Sequence, residues 1–154
     1  MLQYSKILCA VDFDEHSTTV FLLAAALAKE SDATLHVLHV ARVPAPDMDV
    51  PLPFAANPRW EREGRLRLDQ LVRQNLAGHL HYEIHVTSGV PSLDVVRVAT
   101  QLDADLIVMA THGRSGLSHL VMGSVAESVI REAHCPVLVL RPTKAGSRRA
   151  ISIA

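Results

Sequence analysis

The fold is decided by the stretch DLIVMATHGRSG, which runs from Asp105 to Gly116. Every residue from Leu106 to Ala110 is apolar, and a short run that is apolar on both faces is typical of a central strand in a parallel sheet. From Thr111 onward the composition changes to Thr, His, Gly, Arg and Ser. The stretch therefore predicts a buried strand that ends in a polar loop.

Outward from this strand, short apolar runs alternate with segments of helical periodicity. Further strands are predicted by apolar runs at 7–11, 34–40 and 136–140, and an edge strand by strict alternation at 81–87. Helices are predicted over 17–30, 59–76, 92–102 and 124–133. Because crossovers are right-handed, this alternating order predicts a doubly wound, Rossmann-like three-layer α/β sandwich over a parallel five-stranded sheet.

Composition bounds the class of protein. The chain has 154 residues, 49% hydrophobic and 20% charged, which predicts a single globular domain. Fifteen Lys and Arg against 16 Asp and Glu give a net charge of -1, so neither nucleic acid nor an anionic membrane is expected as a partner. Only 4% of the residues are aromatic, which predicts an aliphatic core. The start of the chain resembles neither a secretory signal nor a membrane span, so we expect a cytoplasmic protein.

Two segments fall outside the regular pattern. Five of the eight prolines lie between Val43 and Pro58, which predicts an irregular surface loop, with a lid as one role for it. After Arg141 the chain holds Lys144, Arg148 and Arg149 and no acid. We therefore expect a domain over 1–141 and a basic, flexible tail over 142–154.

The loop after the first strand carries a carboxylate. In an open α/β sheet, ligands bind beyond the carboxyl ends of the strands where the strand order reverses. Asp12, which directly follows the run at 7–11, could hold a ribose hydroxyl, coordinate Mg²⁺ or cap the next helix. Capping of the next helix by Asp14 or Ser17 explains the polar residues after this strand equally simply.

The loop from Ala110 to Ser124 contains residues that bind anions. Glycine lets backbone N–H groups approach a phosphate, a helix N-terminus adds partial positive charge, and Arg114 offers a two-pronged donor. A structural reading stays open, because Ser124 and Glu127 have capping-box spacing and Gly113 and Gly116 can simply make turns.

Three sequence motifs of enzymes are incomplete in this loop and after the first strand. A Walker loop needs a lysine before its Ser or Thr, a nucleophile elbow needs G-x-S-x-G, and a dinucleotide site needs G-x-G-x-x-G. No lysine precedes Ser124, because Gly123 stands at that position. The stretch from Gly113 to Gly116 is one residue shorter than G-x-S-x-G, and Asp12-Phe13 stands where a dinucleotide site would have its glycines. These absences argue against a classical kinase, hydrolase or dehydrogenase.

The combination of motifs resembles the universal stress protein family. Gly113 is separated by nine residues from Gly123-Ser124, and this spacing is preceded by 106–112 and followed by 135–139. The segments 7–13 and 38–40 also resemble the family. The resemblance extends over about Ser5 to Arg141.

This resemblance implies a sheet order of 3-2-1-4-5, a homodimer through Pro136 to Leu140, and ATP bound across the carboxyl ends of the strands. By position, adenine and ribose would contact Ala10, Val11, Asp12 and Val40, above a floor of Met109 and Ala110. The phosphates would be surrounded by Gly113, Arg114, Gly123, Ser124 and Val125. One departure is Ala110, which stands where the nucleotide-binding pattern has glycine, and its methyl group is expected to lower affinity.

The sequence leaves three hypotheses for the function of the chain, two with a bound nucleotide and one without a ligand. The first is a non-catalytic, dimeric module whose occupancy by ATP regulates an unidentified protein partner. The second is a slow ATPase or phosphotransferase that uses Mg²⁺ held by Asp12, and the third is a ligand-free dimeric stress protein. The missing lysine and the missing carboxylate base favour binding over turnover.

Nine histidines also raise the question of a metal site. The best group in sequence is His79, His81, Glu83 and His85. Side chains two residues apart on one strand face are about 7 Å apart, so a compact site would need bending or a second chain. A solvated polar face on an edge strand is the simpler expectation.

Overall fold

The computed structural model describes residues 3–42, 58–76, 78–111, 123–141 and 151–153. In chain order the elements are β1 Lys6–Ala10, α1 Ser17–Ser31, β2 Thr34–Arg42, α2 Pro58–Asn75, β3 Tyr82–Gly89, α3 Pro91–Leu102, β4 Leu106–Ala110, α4 Ser124–Glu132, β5 Val137–Leu140 and β6 Ile151–Ile153. The proline-rich loop at 43–57, most of the glycine loop and nearly all of the tail lie outside these ranges.

The sheet has the order β3-β2-β1-β4-β5-β6. The first five strands are parallel, which confirms the predicted α/β class and the order 3-2-1-4-5. Strand β6 pairs antiparallel with β5 and lies within the segment 142–154 that the sequence analysis assigns to a flexible tail. Three residues are too few to carry a period-two pattern, so the sequence did not predict this strand.

The core lies in two layers because strand side chains alternate between the faces of the sheet. On the face covered by α1 and α2, Ile7, Cys9 and Leu35 pack with Phe21 and Leu68. Burial raises the pKa of the Cys9 thiol to about 12, so this cysteine stays protonated and packs as a small buried hydrophobe.

On the opposite face, α3 and α4 cover Leu8 and Ile107, with Val98 and Val129 packed from the helices. Strand β4 is buried at Leu106, Ile107, Val108 and Met109, as a central strand should be. Helix packing on both faces leaves the carboxyl ends of β1, β2 and β4 as the edge where a ligand can approach.

Candidate functional site

A cavity of about 400 Å³ opens at the carboxyl edge of the sheet. It lies where β1 pairs with β2 on one side and with β4 on the other, which is the point at which the strand order reverses. Its volume is within the range of small-molecule sites, about 300–1,000 Å³. The fold therefore places this cavity at the switch point of a doubly wound sheet.

The predicted site residues fall into three groups. Those that line the cavity are Ala10, Val11, Asp12, Val40, Met109, Ala110 and Val125. Gly123 and Ser124 lie at the start of α4, next to Val125 but not in the described wall of the cavity. Gly113 and Arg114 lie outside the described residues.

The inner wall of the cavity is apolar. It is built from strand residues with aliphatic side chains and from Val95 of α3 and Val125 of α4; the strand members are Ala10, Leu38, Val40 and Met109. Val40 and Met109 are buried, whereas Ala10 is only half-buried because the hollow lies against it. Such a wall suits a flat apolar ring.

Asp12 sits at the mouth of the cavity and organises the turn into α1. Its Oδ1 accepts hydrogen bonds from the Asp14 N–H at 3.2 Å and the Ser17 hydroxyl at 3.4 Å. Oδ1 of Asp14 accepts from the His16 N–H at 2.9 Å and from the same hydroxyl at 3.2 Å. Both carboxylates thus help to fix the start of the helix, so the structural role left open for Asp12 has contacts to support it.

The capping residues differ from those considered in the sequence analysis. His16 is the N-cap of α1 and Gly123 that of α4, and neither helix has a side-chain capping hydrogen bond. Ser17 and Ser124 are the first helical residues, so the capping box of Ser124 with Glu127 is wrong. The backbone of Gly123 is extended, with φ -60° and ψ 146°, and Val125 in the first turn of α4 lines the cavity.

Phe13 was missed by the sequence analysis. It lines the cavity with φ of 62°, a left-handed conformation that is rare for an aromatic residue and marks local strain. Its ring lies 4.3 Å from the ring of His39, centroid to centroid, and the Arg67 guanidinium carbon lies 4.1 Å from its centroid. These two contacts hold the strained turn, and because they come from β2 and α2, no local pattern in the sequence predicts them.

His39 forms a polar part of the same wall. Its Nδ1–H donates to the Val11 carbonyl oxygen at 3.0 Å, which leaves Nε2 as an acceptor. Burial lowers the pKa of His39, and the hydrogen bond to Val11 opposes this only in part. The ring is therefore neutral near pH 7, and Arg42 on the same strand supplies a positive charge at the rim of the cavity.

The fold and the hollow together define a class of protein: a doubly wound α/β domain with a ligand crevice at its switch point. The model of the universal stress protein family matches residues 3–141. The chain belongs to the universal stress protein family. Among the described residues, no helix is long and apolar enough to cross a membrane.

Two curated relatives show the extent of the match. A universal stress protein of Methanocaldococcus jannaschii is 34% identical over 148 residues, which cover 92% of this chain and 84% of the relative. A universal stress protein of Thermus aquaticus is 33% identical over 141 residues, covering 90% of this chain and 99% of the relative. The similarity thus spans the whole domain in both proteins.

Solved structures show the same fold. A universal stress protein from Archaeoglobus fulgidus is 26% identical with a TM-score of 0.66, covering 88% of this chain and 98% of that one. A structure from the same organism in complex with dAMP is 24% identical with a TM-score of 0.64, covering 90% and 98%. A universal stress protein in complex with cAMP is 21% identical with a TM-score of 0.65, covering 91% and 98%.

Proposed function

We propose that this chain is an adenine-nucleotide-binding regulatory module with ATP as its ligand. The observation that carries the proposal is the cavity at the switch point, whose apolar inner wall meets a carboxylate at its mouth. Two solved members of the family are complexes with cAMP and dAMP, ligands that share adenine, a sugar and a phosphate. The same chemistry fits the hollow in this chain.

Each part of the nucleotide has a matching surface. Adenine would lie against Ala10, Val40 and Met109, and a ribose hydroxyl would donate to the Asp12 carboxylate. The phosphates would meet the start of α4 at Gly123 and Ser124, since a helix N-terminus attracts anions. Gly113 and Arg114 are proposed to complete the phosphate site.

Mg²⁺ is proposed to accompany ATP, and holding this ion is the alternative role for Asp12 to accepting a ribose hydroxyl. A carboxylate beside substrate phosphates is the usual form of a magnesium site, because this ion keeps most of its water. The ion would neutralise phosphate charge when bound.

The proposal is tested on the purified chain. We expect adenine nucleotide to be released when the protein is denatured and its extract is analysed by mass spectrometry, and Mg-ATP to bind the stripped protein in calorimetry. Release of inorganic phosphate during long incubation would favour the slow ATPase instead. An extract without nucleotide, together with no heat of Mg-ATP binding, would reject the proposal.

Asp12→Ala should weaken Mg-ATP binding by about 1–3 kcal/mol, because it removes a charged acceptor of a hydrogen bond. Calorimetry measures the change. Asp69→Ala on α2 is the control, since it alters the net charge equally and lies outside the cavity. Unchanged affinity with a lower free energy of unfolding would limit Asp12 to organising the start of α1.

Ala110→Gly should strengthen Mg-ATP binding by roughly fivefold or more, because one methyl or methylene group in a pocket is worth about 1–3 kcal/mol. The variant restores the glycine of the family's nucleotide-binding pattern at the end of β4. Equal or weaker binding, measured under the same conditions, would show that the Ala110 methyl does not restrict the ligand.

We also propose a homodimer through Pro136 to Leu140. In the chain itself, β6 already pairs with β5 along this edge, through Leu138 with Ile153 and Leu140 with Ile151. Sedimentation equilibrium over a range of concentrations measures the association. A single monomeric species at all concentrations would reject the dimer and leave the nucleotide proposal intact.

A further inference from the structure

Three side chains of the types that ligate metals meet on two neighbouring strands, outside the lining of the cavity. His36 of β2 pairs in register with Glu83 of β3, and His85 follows two residues later on the same face. His36 precedes Leu38, the nearest strand residue of the cavity wall, by two residues on β2, so the group lies roughly 7 Å along the strand from that wall. None of its three residues lines the cavity.

The three ligand atoms are spaced for a tetrahedral ion. Nδ1 of His36 lies 3.0 Å from Nε2 of His85 and 3.4 Å from Oε2 of Glu83, and the last two atoms are 3.7 Å apart. Ligands placed at 2.0–2.1 Å from a tetrahedral Zn²⁺ are about 3.3 Å apart. Shifts of a few tenths of an ångström would give all three edges this length.

The group also has an entry route. The side chain of His36 is 5% exposed, whereas those of His85 and Glu83 are 25% and 60% exposed. A cation could therefore reach the ligands from the Glu83 side and keep water at its remaining position. Two imidazole nitrogens select a borderline transition metal, because Mg²⁺ and Ca²⁺ prefer oxygen.

One hydrogen bond links the two imidazoles, so one of these two ring nitrogens carries a proton and the other offers a lone pair. The carboxylate of Glu83 places a further acceptor beside them. A divalent cation in place of the shared proton would accept lone pairs from all three groups, because imidazole ligates metals in its neutral form.

The sequence places a different set, His79, His81, Glu83 and His85, along one strand, where a compact site needs bending or a second chain. In the structure the third ligand comes from the neighbouring strand, because parallel pairing brings His36 beside Glu83. His81 precedes β3 and is exposed.

We propose that His36, Glu83 and His85 bind one Zn²⁺ with water at the fourth position. The ion would join β2 to the edge strand β3 and stabilise their pairing, since a ligand that binds only the folded state raises its stability.

The test uses the full chain without an affinity tag, first stripped with a chelator. Calorimetry with Zn²⁺ should give one site per chain, and Co²⁺ should give the visible absorption of a low-coordinate site with nitrogen ligands. Glu83→Gln and His85→Gln should each weaken Zn²⁺ binding by at least about 100-fold, because even residues that only support metal ligands are worth about 10–100-fold.

His81→Gln is the matched control and should bind Zn²⁺ as the wild type does. Each variant is first checked for an unchanged melting temperature without metal, and the exposed position of Glu83 makes its variant the safest. Wild-type affinity in both ligand variants, or no saturable Zn²⁺ binding by the wild type, would overturn the proposal.

Discussion

Ala10→Phe should reduce Mg-ATP binding by at least roughly 1,000-fold. Ala10 is half-buried at the end of β1 and lines the apolar wall of the cavity. A phenylalanine side chain buries about 150–250 Å². Because the new ring would occupy the space proposed for adenine, adenine would lose a similar area of contact with the wall. At about 25 cal/mol per Å², that loss costs about 4–6 kcal/mol.

The measurement is calorimetry on stripped protein, with the melting temperature as a check of folding. Ala26→Phe is the control, because Ala26 is exposed on α1 and is not among the residues of the cavity wall. If folded Ala10→Phe protein bound Mg-ATP like the wild type, the nucleotide would have to lie outside this cavity.

Phe21→Ala should lower the free energy of unfolding by about 3–5 kcal/mol, because it removes a buried aromatic ring and leaves a cavity. Phe21 is fully buried, and it is the largest such side chain in the described part of the chain. A typical domain is stable by only about 5–15 kcal/mol, so the loss would be a large share of the total.

Urea unfolding followed by circular dichroism measures this change. Leu22→Ala is the neighbouring control, since Leu22 is 46% exposed and should lose much less. Equal losses in the two variants would mean that the ring of Phe21 does not anchor α1 to the sheet.

Much of the fold could be predicted because its signals are local. The strand predicted over Asp105 to Ala110 is β4, which begins one residue later, and the alternating run at 81–87 is the edge strand β3. The order of the strands came from the family resemblance, since periodicity within a segment does not say which strands become neighbours.

The site could be predicted only in part. Asp12 follows β1, and its place after that strand was enough to select it. Val40, near the end of β2, was selected from the family resemblance. Phe13 and His39 were missed because their ring contact joins the turn after β1 to β2, and these two segments are distant in sequence. The pairing of His36 with Glu83 was missed for the same reason.

Strand β6 has a consequence for any dimer formed through Pro136 to Leu140. The backbone edge of β5 that a second copy would use is already paired with Ile151–Ile153 of the same chain. The tail thus competes as a tethered strand whose effective concentration is fixed by the length of the connection. For the proposed dimer, a partner strand would compete better only as the protein concentration rises, so we expect the monomer in dilute solution and the dimer when the protein is abundant.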